Sequence, residues 1–250
     1  MNNNKLLSLV GGISILACAG SANALPALQL GPGSGSWSYD GSDQTWVVSD
    51  SRFSLSAYAN CLTSSTCSPS GEYAWDTSGA TSQYAYLVVA AVPDTGNVDA
   101  FDISIFNDGA SLSMVTSGYG APPVQDPNSL SSHGIYDTYF EIYEFQFNGG
   151  IGTIFDTQPG ETGNGDGYSE SFDVTINALL AGVSGVHFDL FTVQGARYDA
   201  SSTSADRNLV NAFAPFSHDA ETTTSVPEPA TALLLGLGLL GLARARKRIV

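Results

Sequence analysis

The chain's imidazoles are His133, His187 and His218. A Ser-His-Asp hydrolase needs one histidine bonded to both a nucleophile and an orienting carboxylate. Serine and aspartate are frequent enough to supply both, yet no Gly-x-Ser-x-Gly elbow occurs. His187 stands two residues before Asp189 in an alternating segment, so the two share a strand face. That pair reads first as a hydrogen-bonded structural couple, with metal binding as the alternative. His218-Asp219 lies near the end of the body, where it is expected to cap a loop. The acidic, Gly-rich segment Asp156–Glu170 offers Asp156, Glu161, Asn164, Asp166 and Glu170. These are hard oxygen donors of the kind calcium takes. The spacing departs from an EF-hand, because Pro159 would occupy its first position, and a solvated loop explains the same residues. No cofactor is expected, calcium being the one cation this loop could hold.

Glu141 and Glu144, three apart on a strand, face opposite sides and cannot serve as paired glycosidase carboxylates. Trp37, Tyr39, Trp46, Tyr58, Tyr73, Trp75, Tyr119, Tyr136 and Tyr139 could build a sugar-stacking platform, although core packing uses the same residue types. Cys61 and Cys67 are expected to pair in an oxidising compartment across Leu62–Thr66. Closing that loop is worth about 2 kcal/mol in the chain-entropy picture. A reactive thiol pair is the alternative; a metal site would need further ligands, and no His lies within about sixty residues.

Period-two patterning supplies the elements that must position these groups. Thr45–Val48, Arg52–Ala59, Phe101–Ile105, Leu112–Thr116, Ser171–Ile176 and Val186–Val193 read as strands. Tyr84–Val92 is continuously apolar, as in a central strand buried on both faces. Tyr139–Phe147 carries aromatics on both faces, predicting one in the core and one partly exposed. Leu25–Ser36 reads as a flexible lead-in, and Ala178–Val183 as at most one or two helical turns. The expected fold is all-β: an antiparallel β-sandwich of jelly-roll type, flanked by an N-terminal signal peptide and a C-terminal hydrophobic helix.

Both ends differ in kind from this body. Lys5 precedes the apolar stretch Leu6–Ala17, and Ala22-Asn23-Ala24 places small residues at a cleavage site. This defines a signal peptide over 1–24, cut after Ala24. Ile15-Leu16-Ala17-Cys18 weakly fits a lipoprotein signal, but Leu16 is bulky where a small residue is usual. At the other end, Val226, Pro227, Glu228 and Pro229 precede an uncharged apolar run of 14 residues, Ala230–Ala243, and then Arg244, Arg246, Lys247 and Arg248. A helix of that length reaches about 21 Å, short of a hydrocarbon core about 30 Å thick. It suits a temporary inner-membrane hold, with the cations kept cytoplasmic. Residues 220–225 read as a polar linker without secondary structure, leaving 25–219 as the extracytoplasmic domain and 226–250 as the anchor.

The Pro-Glu-Pro triplet, Gly/Leu-rich segment and terminal basic residues resemble the PEP-CTERM sorting signal, which covers about a tenth of the chain. The resemblance implies an exosortase-like processing enzyme near Pro-Glu-Pro and delivery to the cell surface or extracellular matrix, the setting of exopolysaccharide and biofilm systems. In the body, Leu25–Tyr39, Tyr84–Pro93, Ser132–Ile135, Tyr139–Phe147, Gly165–Asn177, Gly185–Val193 and Asn211–Asp219 resemble the choice-of-anchor N family of bacterial surface proteins. That family implies an extracellular β-domain and carries over no catalytic residues.

Charge narrows the partners. Residues 25–225 hold three cations against 23 acids, a net charge of −20. Such a surface repels phosphate backbones and argues against nucleic acid. The expectation is an exported, non-enzymatic surface or matrix protein in contact with extracellular polysaccharide. A secreted carbohydrate-active enzyme and a calcium-dependent adhesion module are the alternatives.

Overall fold

Alternating apolar and polar residues, or an unbroken apolar run as in Tyr84–Val92, separated by turn formers, build the described strands. A computed structural model describes residues 25–61, 84–122, 130, 135–147, 151–193, 197–199, 210–215 and 218–223. In chain order the strands are β1 (Leu28–Pro32), β2 (Trp37–Asp40), β3 (Thr45–Val48), β4 (Arg52–Asn60), β5 (Tyr84–Val92), β6 (Phe101–Asn107), β7 (Ala110–Ser111), β8 (Ser113–Gly120), β9 (Thr138–Gln146), β10 (Gly152–Phe155), β11 (Asn164–Leu179), β12 (Gly185–Val193), β13 (Val210–Phe213) and β14 (Ala220–Thr222).

They form two sheets. One runs β1-β4-β11-β6-β7 with β10 beside β11; the other runs β2-β3-β14-β12-β5-β9-β8 with β13 beside β12. Among the described strands, β14 and β3 pair in parallel, and the other pairs are antiparallel. The all-β class expected from the sequence is therefore what the chain adopts.

The sheets share one core. Leu55, Phe172 and Val174 of the first sheet meet Leu87, Phe188 and Leu190 of the second, all essentially inaccessible to water. Edge-on aromatic pairs span the gap, Phe53 with Phe188 at 5.9 Å between centroids and Phe145 with Phe172 at 4.8 Å. Rings of this size dominate core energetics and prefer that edge-to-face arrangement.

The second sheet is covered on its other face as well. Tyr86, Val88, Ile142 and Phe191 are buried there with Leu130 and Tyr198 from the connecting segments. This corrects the expectation that one face of 139–147 is partly exposed: β9 buries Phe140 and Ile142 on that side too. Every residue of β12 is buried, including its polar positions His187, Asp189 and Thr192.

Four further expectations shift. The lead-in 25–36 contains β1, whose Leu28 and Leu30 are fully buried against β4. Strand β8 continues to Gly120 rather than stopping at Thr116. Leu179 closes a long strand, and no helical turn is assigned over 178–183. Residues 220–222, expected to be linker, form β14, clamped between β12 and β3. The folded body thus extends through Thr222.

Among the described residues no helix is long and apolar enough to cross a membrane. The expected signal peptide and the expected C-terminal hydrophobic helix both lie outside those residues.

Candidate functional site

Strand pairing assembles the densest group of ionisable side chains from distant parts of the chain. The register sets His187 opposite Glu221, and Phe188 opposite Ala220. Continuing one step places Asp189 beside Asp219, on the face that carries His187. Asp189 and Asp219 are fully buried and His187 is 2% exposed. His187 Nε2 stands 3.4 Å from Asp219 Oδ2 and 3.6 Å from Asp189 Oδ2, while Nδ1 is 3.7 Å from Glu221 Oε2. None of these meets hydrogen-bond geometry, so both ring nitrogens are buried without a hydrogen-bond partner. Tyr136 closes the group from above the sheet, its hydroxyl donating to Asp189 Oδ2 at 2.6 Å.

Electrostatics follows from this crowding. Burial is the largest single influence on the His187 imidazole and depresses its pKa, but attraction from Asp189, Asp219 and Glu221 wins and holds it well above the ordinary value. Burial, then the charges of Asp189 and Asp219, push the Tyr136 phenol well above its usual range, so it remains a donor. His187, Asp189 and Asp219 each direct one donor atom into a region within 4.8 Å. Among the described residues this is the group of His, Cys, Asp and Glu that converges so closely. A cation or a proton is what it can hold. A hydrolytic triad at His187 is not formed, since the ring faces carboxylates on both sides.

The other expected residues fall as follows. His218 Nε2 contacts Asp156 Oδ1 at 2.9 Å, both side chains being nearly inaccessible. Its expected loop-capping role becomes a tie between the end of β10 and the start of β14. Thr157 reinforces that tie: its carbonyl accepts from Trp46 Nε1 at 3.0 Å, and its amide donates to buried Gln29 at 3.0 Å. The oxygens of Asp156–Glu170 do not gather. Asp156 faces His218, Asp166 is exposed in the β10–β11 hairpin, and Glu170 accepts from Asn107 Nδ2 at 3.0 Å. Residues 164–170, expected in a loop, are strand.

Glu141 and Glu144 do face opposite sides. Glu141 accepts from the hydroxyls of Tyr139 and Tyr143; Glu144 binds Arg197 through two nitrogens and also accepts from Tyr86. Among the described aromatics, Trp37 packs edge-on against Phe53, Tyr39 against Trp46, and Tyr139 tilts against Phe101. Tyr119 is exposed and donates to Asp94 at 2.8 Å. It sits beside a cleft of about 430 Å³ lined by Pro93, Asp94, Ile135, Tyr136 and Asp137. Cys61 is buried at the end of β4. Cys67, His133, Tyr73, Trp75, Ala24, Val226, Pro227, Glu228, Pro229, Arg244, Arg246, Lys247 and Arg248 lie outside the described residues.

Sequence reasoning reached His187 with Asp189 through their spacing, but missed Asp219, Glu221 and Tyr136 as their neighbours. Those join only through long-range pairing. One signal was available: Phe191 and Val193 share the His187 face, which a solvent-facing row would not favour.

The described residues form an all-β body in which β14, ending at Thr222, is the strand nearest in sequence to the C-terminal segment. That segment, residues 225–248, matches the PEP-CTERM protein-sorting motif. The motif marks an exported protein handled by an exosortase-type membrane enzyme, passing through a membrane-anchored sorting intermediate on the way to the surface. No curated protein and no solved structure matches this chain.

Proposed function

We propose that this chain is an exosortase substrate whose two-sheet body, of jelly-roll type, works at the cell surface or in the matrix as a non-enzymatic module that binds extracellular polysaccharide. The observation that carries the reading is adjacency. Strand β14 ends at Thr222 and the sorting motif begins at residue 225, so the body is tethered directly to the segment that is processed. Repeated crossing of the chain between sheets supports the jelly-roll assignment, and the resemblance to choice-of-anchor N proteins belongs to the same reading. So does pairing of Cys61 with Cys67.

Among the described residues, the cleft beside Tyr119 is a surface suited to a sugar. Exposed Tyr119, bonded to Asp94 at its edge, supplies a ring to stack on, and the lining carboxylates of Asp94 and Asp137 accept hydroxyl protons. A glycan array on the exported segment, with and without calcium, tests this. Binding that falls at least tenfold in Tyr119→Ala and in Asp94→Asn supports the reading; an array without signal, or one unchanged by both substitutions, refutes it. The two carboxylates on one cleft favour a second reading, a carbohydrate-active enzyme. Release of reducing ends, abolished by Asp94→Asn, would move the function there.

A further inference from the structure

The strongest unassigned feature is the buried group on β12 and β14. Two carboxylates and an imidazole share one buried region. Such a cluster persists only when its charge is compensated and its polar atoms are satisfied. His187 is the member that fails this condition: it is almost completely buried and neither ring nitrogen has a hydrogen-bond partner.

The distances explain why. At 3.4 and 3.6 Å, Nε2 and the two aspartate oxygens are too far apart or misaligned for hydrogen bonds. Yet donors on a tetrahedral zinc, with bonds of about 2.0–2.1 Å, stand roughly 3.3–3.4 Å apart. These two spacings, with all three donor atoms within 4.8 Å of one another, suit ligands gathered around a small cation better than partners in a proton-mediated contact. We propose that His187 Nε2, Asp189 and Asp219 bind one divalent metal ion, with zinc the closest fit, stapling β14 to β12.

The surroundings agree with a metal of this type. One imidazole with two carboxylates suits zinc or manganese, whereas calcium calls for six to eight oxygens. Two neighbours have the geometry of outer partners that orient ligands: Tyr136 donates to Asp189 at 2.6 Å, and Glu221 faces the far ring nitrogen of His187 at 3.7 Å. Since β14 is the strand immediately preceding the sorting segment, the ion would fix the point where the body meets its tether. This inference is independent of the polysaccharide reading.

The test uses the full-length chain in detergent, stripped with chelator and titrated with zinc, and in a second arm with manganese. Isothermal titration and elemental analysis should give one tightly held equivalent and a higher melting temperature. His187→Gln and Asp219→Asn should abolish that equivalent, while exposed Asp166→Asn keeps it. Tyr136→Phe retains all three ligands and should weaken zinc about 10–100-fold. Should the ligand variants fail to fold, X-ray absorption on the zinc-loaded wild type decides, with one imidazole among oxygen ligands expected. No uptake by the wild type, equal uptake by His187→Gln, or an absorption spectrum with sulfur or without imidazole would overturn the proposal.

Discussion

Replacing Thr222 with Val asks whether β14 belongs to the folded body. Thr222 is fully buried, and its hydroxyl accepts a hydrogen bond from the Val186 amide at 3.0 Å, also buried. Valine keeps the branched shape and removes the acceptor, leaving the Val186 N–H facing a methyl group. An orphaned buried donor costs about 1–3 kcal/mol. For a body of this size each kcal/mol lowers Tm by about 2–4 °C, so a loss near 2 kcal/mol predicts a drop of about 4–8 °C. Thr222→Ser retains the acceptor and gives up one methyl, worth about 0.8 kcal/mol and a drop of about 2–3 °C. Thermal melts by circular dichroism should therefore rank wild type above serine, and serine above valine. If valine melts at or above serine, the hydroxyl does not anchor the strand, and residues 220–222 behave as the linker their composition suggests.

Gly185 gives a steric version of the same test. A Cβ there would come 1.7 Å from the Thr222 carbonyl oxygen, so Gly185→Ala should displace β14 and expose the Thr223 and Trp46 amides to rapid hydrogen exchange; unchanged exchange at both would contradict the packing. Phe172→Ala, at the centre of the shared core, should lower stability by about 3–5 kcal/mol in urea unfolding, and a loss below about 1 kcal/mol would deny the sheets a common core. Burial is the main cause holding the Glu141 pKa above its ordinary value, against hydrogen bonds from Tyr143 and Tyr139. A carboxyl raised on folding favours the protonated native state, so its contribution is present at low pH and lost as pH rises through the folded pKa. The Tm difference between Glu141→Gln and wild type should accordingly shift in the variant's favour from pH 4 to pH 8; a shift the other way would reverse the sign.

Much of the architecture could be read from local pattern, because β4, β5, β6, β9 and β12 announce themselves by alternation or by unbroken apolar runs. What escaped depends on distant partners. Gly31 and Pro32 suggest a loop, yet Leu28 and Leu30 find a buried place on β4. Gly167 also suggests a loop, but serves close approach: a Cβ there would meet Ala59 O and Ile154 Cδ1, each at 2.5 Å. Ala220, Glu221 and Thr222 have no pattern of their own, and become strand because β3 and β12 leave a slot between them. The cluster was half visible for the same reason. His187 and Asp189 are two residues apart, whereas Asp219 and Tyr136 arrive from thirty and more than fifty residues away.

If two delivery segments enclose a strand-built body that works outside the cytoplasm, the mature protein should have been cut at both ends. The most direct measurement is the intact mass of the protein recovered from native cells after fractionation. A surface or extracellular form that begins at Leu25 and lacks the basic residues after Ala243 is expected. A form spanning residues 1–250 in the soluble cytosol would contradict it.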